Sequence, residues 1–247
     1  MRSLLILVKG DTPYTDRNPA RLFQDAKNAG IDVQRADYAE IADLLNFQHE
    51  TIFVMFFFPY TFWNKYCEIP DETKLYGTSR KAYLAYSGYF LYVREELSSK
   101  FNGHKIEYVI LPTIAGVDRD KIATLELLRA NNVNVSETID SRDLFEILEN
   151  IDDKRGVFIK CRYGAEGKGI TLLKRDRWLT NYKIEHGRLG NYGVYDRWEL
   201  TDISGGEDIL RQLLDHEVIV EREIVVPSIY PGQKFDLRAF FVDKSVP

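Results

Sequence analysis

The chain has 247 residues, enough for one large domain or two smaller ones, with 45% hydrophobic and 29% charged residues. That composition is ordinary for a globular protein, and the formal net charge of −5 is interspersed, so no basic face for nucleic acid is expected. The first apolar run, Leu4 to Val8, is too short for a signal h-region or a membrane span, and the two cysteines, Cys67 and Cys161, fit free thiols in a reducing cytoplasm.

In chain order, Leu4 to Val8 reads as a buried strand, followed by a turn at Lys9-Gly10-Asp11-Thr12-Pro13. Ala20, Phe23, Ala26 and Lys27 ahead of Gly30 predict a helix from about Asn18 with a glycine close. Ile31 to Val33 is a second strand, Tyr38, Ile41, Leu44 and Leu45 carry helical spacing, and Thr51 to Phe58 is a third strand. Strand–helix–strand–helix–strand in so short a span predicts a small parallel α/β unit. Its first turn lacks dinucleotide glycine spacing, which leaves a scaffold or an acceptor-substrate domain. The aromatic loop Pro59-Tyr60-Thr61-Phe62-Trp63-Asn64 stands at a strand's carboxyl end, where it packs on the core or contacts a substrate.

Ala82, Tyr86, Val93 and Leu97 predict a helix from Ser79 to Ser98, and Tyr108 to Leu111 a fourth strand. Asp118-Arg119-Asp120-Lys121 opens a further helix. Acidic residues suit a first turn, whereas Lys121 suits it only beside an anion or with its acidic neighbours in compensation. Ser141 is the expected cap of a helix through Leu148.

Gly156 to Leu173 is the most informative stretch. Val157-Phe158-Ile159 reads as a buried strand ending in Lys160, and Ile170 to Leu173 as its return. Between them lies Gly164-Ala165-Glu166-Gly167-Lys168-Gly169. It is not a Walker A loop, since Arg162 stands at the first glycine position and Gly169 replaces the Ser/Thr. Nor is it a dinucleotide fingerprint, since GxxGxG runs into a strand. Two readings remain: a hairpin whose amides converge on phosphate between Lys160 and Lys168, or a glycine-rich surface hairpin with two solvated lysines.

Residues 176–206 lack periodicity and predict loops plus a hairpin, and Ile209, Leu213 and Leu214 a helix from Gly206 to His216. Val218 to Val226 is a strand, Pro231-Gly232-Gln233 a turn, and Lys234 to Val242 another strand. In the last, Lys234, Asp236 and Arg238 share one face, which serves either phosphate and hydroxyl binding or an exposed cross-paired salt bridge.

The order of these features resembles the ATP-grasp superfamily: a helix opened by Asp-Lys, strand-Lys160 with its glycine hairpin, Glu221-Arg222-Glu223-Ile224, then Lys234-Phe235-Asp236-Leu237-Arg238. The resemblance runs from Val117 to Val242. KFDLR is similar to the tubulin tyrosine ligase-like branch, and DKIATLELLRANNVNVSET to ribosomal-protein glutamate ligases and spore-coat-associated ATP-grasp proteins. It implies an α/β pre-ATP-grasp domain over residues 1–116 and an ATP-grasp domain with antiparallel sheets over 117–247. It further implies ATP and Mg²⁺ as cofactors, with a small-molecule or peptide carboxylate activated as an acylphosphate for attack by an amine. A non-catalytic nucleotide-binding module is the alternative. Lys121 and Lys160 would contact phosphates, with Gly164, Gly167, Lys168 and Gly169 closing over them. Glu221, Arg222 and Ile224 would hold adenine, Lys234 and Asp236 would lie by ribose and phosphates, and Arg238 would serve catalysis. The superfamily's metal carboxylates sit further on, and only Asp243 follows the KFDLR strand, so a piece of a longer protein is expected and the metal ligands stay unassigned.

Overall fold

The computed structural model describes residues 3–8, 13–68, 74–193 and 196–225. The expected turn at Lys9 to Thr12 and everything from Val226 onward, including Lys234, Asp236 and Arg238, lie outside the described residues. The fold is α/β: a parallel four-stranded sheet precedes a five-stranded antiparallel sheet and a separate two-stranded hairpin.

The first sheet is built from β1 (Ser3–Val8), β2 (Asp32–Asp37), β3 (Thr51–Phe56) and β4 (Lys105–Tyr108), in the order β2-β1-β3-β4. Leu5, Ile6 and Leu7 are completely buried, as expected of a central parallel strand covered on both faces. Helix α1 (Pro13–Asn28) starts upstream of the expected Asn18, with Pro19 inside it. It closes as the glycine predicts: Gly30 has φ +71°, and the Gly30 and Ile31 amides donate to the Lys27 and Ala26 carbonyls. The Tyr38–Asp43 segment is a 3₁₀ turn rather than an α-helix, opened by an Asp37–Glu40 capping box. The aromatic stretch expected as a loop is instead mostly helical, forming short α2 (Tyr60–Tyr66) after Pro59. The fourth strand lies slightly upstream of Tyr108–Leu111, because Lys105 to Tyr108 is the stretch in register with Thr51 to Val54.

Helix α3 (Arg80–Lys100), capped by the Ser79 hydroxyl, joins the two halves. Val93, Leu97 and Phe101 at its far end pack with Leu5, Leu7, Ile52 and Val54 of the first sheet. Ala82, Tyr86 and Phe90 at its start instead enter a second core with Val157, Ile159, Cys161, Leu210 and Val218. One apolar stripe therefore serves two cores.

After a 3₁₀ turn at Val117–Arg119 come α4 (Lys121–Ala130) and α5 (Leu144–Glu149). Asp143, not the expected Ser141, caps α5, accepting from the Phe145 and Glu146 amides at 2.8 and 3.2 Å. Ser141 supports it from outside, accepting from the Asp143 amide and donating to Glu146. The second sheet contains β5 (Val157–Cys161), β6 (Ile170–Leu173), β7 (Trp178–Thr180), β10 (Thr201–Asp202) and β11 (Val218–Arg222), ordered β10-β7-β6-β5-β11. β8 (Lys183–Glu185) and β9 (Arg188–Gly190) form the separate hairpin, matching the loops-plus-hairpin expectation. Amphipathic α6 (Glu207–Leu214) buries Ile209, Leu210, Leu213 and Leu214. No helix among the described residues is long and apolar enough to cross a membrane.

Candidate functional site

The strand–glycine loop–strand motif forms as the sequence predicts, and strand alternation gives β5 two unlike faces. Val157, Ile159 and Cys161 are fully buried, whereas Phe158 and Lys160 are half-buried on the opposite side. Register sets Lys160 against Ile219 of β11 and Glu221 against Phe158, so Lys160 and Glu221 are diagonal neighbours on that side. Lys160 Nζ lies 2.7 Å from Glu221 Oε2, with side-chain exposures of 26% and 8%. Ser136 Oγ donates to the same oxygen at 2.9 Å, from a stretch that continues the sheet through the Arg222 N–H to Glu137 O and Ile139 N–H to Val220 O bonds. The carboxylate is thus held on two sides, which fixes the ammonium at the sheet surface beside the Phe158 ring.

Lys121 arrives at the end of β5 from α4. Asp120 caps the helix, accepting from the Ile122 and Ala123 amides, and is gripped by the Arg162 guanidinium through two 2.8 Å bonds. Burial pushes the Asp120 carboxyl up, but the Arg162 fork and the two amides outweigh it and hold it below its usual value. Of the two acids expected to compensate Lys121, Asp120 is therefore committed to Arg162, and Asp118 is 72% exposed beside Arg119. Lys121 Nζ instead donates to the Cys161 and Gly164 carbonyls at 2.8 and 2.6 Å, and its own N–H to Arg162 O. Burial holds the Lys121 ammonium below the usual lysine value, with Lys160 and Arg119 adding to the effect and Cys161 and Glu221 opposing it. Two lysines, from a helix start and a strand end, thus stand near the end of β5, Lys121 on the Cys161 and Gly164 carbonyls and Lys160 on Glu221.

The loop itself is packed down. A Cβ at Gly169 would lie 2.6 Å from Cys161 Sγ and 2.8 Å from the Tyr182 hydroxyl, and one at Gly164 would overlap the thiol and Tyr76. Only Gly167, at φ +72°, faces open space. Several amides are already bonded: Tyr163 N–H to Gly77 O, Ala165 N–H to the Tyr76 hydroxyl, Lys168 N–H to Ala165 O and Ile170 N–H to Asn181 Oδ1. The glycines are required first for close approach to a buried cysteine, a role that their spacing did not reveal.

Lys168 does not point toward Lys160's partner. Its Nζ lies 2.5 Å from Glu68 Oε1, with 14% and 4% side-chain exposure. Glu68 also accepts from the Trp63 indole, and the ammonium lies within 6 Å of the Tyr76 and Trp198 rings. Glu68 has no neighbourhood signal in the sequence, because its partner is 100 residues away. In the Glu221–Ile224 stretch, Arg222 donates to Asn150 and pairs with Glu137, Glu223 takes the Gly156 amide and Lys174, and Ile224 is 62% exposed. Among the described residues, no group of three or more His, Cys, Asp or Glu could hold a metal ion.

No protein-family model matches the chain, and no curated protein does. Among solved structures, it is similar to the D-cycloserine synthetase DcsG, at TM-score 0.48 and 14% identity over 88% of this chain and 58% of that one. It is also similar to the ATP-grasp ligase PsnB complexed with minimal precursor, at 0.47 and 10% over 92% and 65%. PsnB complexed with a phosphomimetic variant of minimal precursor, Mg and ADP gives 0.44 and 12% over 89% and 64%. The chain therefore spans 58% to 65% of the length of the structures it matches.

Proposed function

We propose that the chain carries the nucleotide site of an ATP-dependent carboxylate–amine ligase of ATP-grasp type, residues 117–247 forming the nucleotide-binding unit. The observation that carries this reading is the placing of two lysines at the end of β5: Lys121 on the Cys161 and Gly164 carbonyls at the root of the glycine loop, and Lys160 on Glu221 at the sheet surface. Two ammonium groups, one of them largely desolvated, form a costly arrangement that a polyphosphate relieves. Phosphoryl transfer to a carboxylate asks the protein chiefly for charge neutralisation and alignment, and clustered cations on a rigid strand and helix start supply both. Glu221 then acts as the stand-in anion that keeps Lys160 extended until nucleotide arrives, and the backbone from there past the end of β11 to exposed Ile224 is the adenine edge. Mg²⁺, when bound, would supply further charge neutralisation at the phosphates, and no described residue is assigned to hold it. The substrate is a small-molecule or peptide carboxylate, and the first sheet's carboxyl edge is its docking side.

The test is direct. Isothermal titration of Mg²⁺·AMP-PNP should give saturable binding that Lys160→Met abolishes while circular dichroism stays unchanged. Wild-type affinity in that variant would sink the reading. Turnover is assayed separately as ADP release from ATP in the presence of pooled amino acids and short peptides.

A further inference from the structure

Two residues before Lys121, Arg119 has surroundings that neither its sequence position nor the proposed nucleotide contacts explain. Its guanidinium carbon lies 4.7 Å from the Phe58 ring centroid, 5.0 Å from Trp63 and 5.8 Å from Tyr86. The side chain is 14% exposed, and its nearest carboxylate, Asp118, is 4.0 Å away and 72% exposed. Nε is buried without a hydrogen-bond partner among the described residues, and the Tyr86 ring is the third aromatic face against the side chain. Ser87 Oγ is a second buried polar atom without a partner among the described residues. It faces Gly116, whose carbonyl accepts the Arg119 N–H, so both atoms border one turn.

Three aromatic faces offset part of the cost of burying a guanidinium, but they leave the Nε–H unused. Arginine presents five donors in a planar fork, a match for a carboxylate or phosphoryl oxyanion. The location points the same way. Phe58 follows β3 at the carboxyl edge of the parallel sheet, the side on which open α/β sheets take ligands, and α4 brings Lys121 to the same junction.

We propose that Arg119 is an oxyanion-binding residue at the junction of the two sheets, holding either the acceptor's carboxylate or the phosphoryl group passed to it. This deepens the ligase reading and rests on it for the source of the anion. The test uses ¹⁵N-labelled full chain and the arginine ¹H–¹⁵Nε spectrum, the Arg119 signal being assigned by its loss in Arg119→Lys. Titration with sodium acetate, with sodium phosphate and with Mg²⁺·AMP-PNP separates the sources. A saturable Arg119 shift with acetate assigns the acceptor carboxylate, and one with phosphate or nucleotide assigns the phosphoryl group. Arg119→Lys, which keeps the charge but not the fork, should weaken the shift-producing anion at least tenfold, read from surrounding amide signals. An Arg119 signal unmoved by all three probes overturns the proposal, even if AMP-PNP binds at Lys160. A shift with acetate while AMP-PNP fails to bind would support it and count against the nucleotide reading alone.

Discussion

The two faces of the β5–β6 hairpin are made from alternate residues of the same strands, and they obey different rules. The Cys161 face is closed: Gly77, Gly164 and Gly169 crowd the thiol, Tyr76 and Tyr182 cover it, and Lys168 is tied to Glu68 across the junction. The Lys160 face is half-open, the lysine side chain 26% exposed beside Glu221. Substitutions on the first face should register as lost stability, and those on the second as lost binding. One motif therefore combines packing with recognition, and glycine count alone does not separate them.

The largest effect expected is on the closed face. Glu68→Ala leaves the Lys168 ammonium with only the more exposed Glu166, 3.4 Å away, and the Trp63 indole without its acceptor, and should destabilise the fold by about 3 kcal/mol in urea unfolding. A loss under 1 kcal/mol would mean that the junction is open in solution. Gly164→Ala should follow at about 1–3 kcal/mol, since the added Cβ has a thiol and an aromatic ring in its way, while Gly167→Ala should lose only the left-handed backbone preference, about 1 kcal/mol. Equal losses at the two glycines would erase the distinction between the faces.

On the open face, Lys160→Met should change the midpoint little and AMP-PNP affinity at least a hundredfold, roughly 2.7 kcal/mol of binding. Lys121 adds a pH signature. Its folded-state value is depressed below the unfolded one, so between the two the unfolded chain holds more protons and stability rises with pH through that window. A bound phosphate would draw the value back up, so nucleotide binding at alkaline pH should take up a proton. Calorimetry in buffers of unlike ionisation enthalpy measures that uptake, and Lys121→Met should remove it. The smallest contrast is at α5, where Asp143→Ala should lose about 1 kcal/mol of cap and Ser141→Ala less.

Much of the architecture was legible because it rests on local periodicity. The strand pattern of Leu4 to Phe56, the α3 stripe and the Val157–Leu173 hairpin all follow from which residues must leave water. Errors fell where two neighbours compete for one role. Ser141 and Asp143 both suit a cap, and the winner is the one whose carboxylate reaches two amides. At Tyr38–Asp43 the helical spacing is real, but the segment spans only six residues between two strands and closes as 3₁₀.

For the site, chain order determined which cations stand at strand and helix ends, and so nominated Lys121 and Lys160. Only the tertiary structure decided their partners. It placed Glu221 on Lys160, diverted Asp120 to Arg162, drew Lys168 to Glu68, and enclosed Arg119 in three rings. The reason is one of range. Hydrophobic periodicity acts between residues three or four apart and is written along the chain, whereas an ion pair depends on groups up to 100 positions apart that only the packed fold brings within 3 Å of each other.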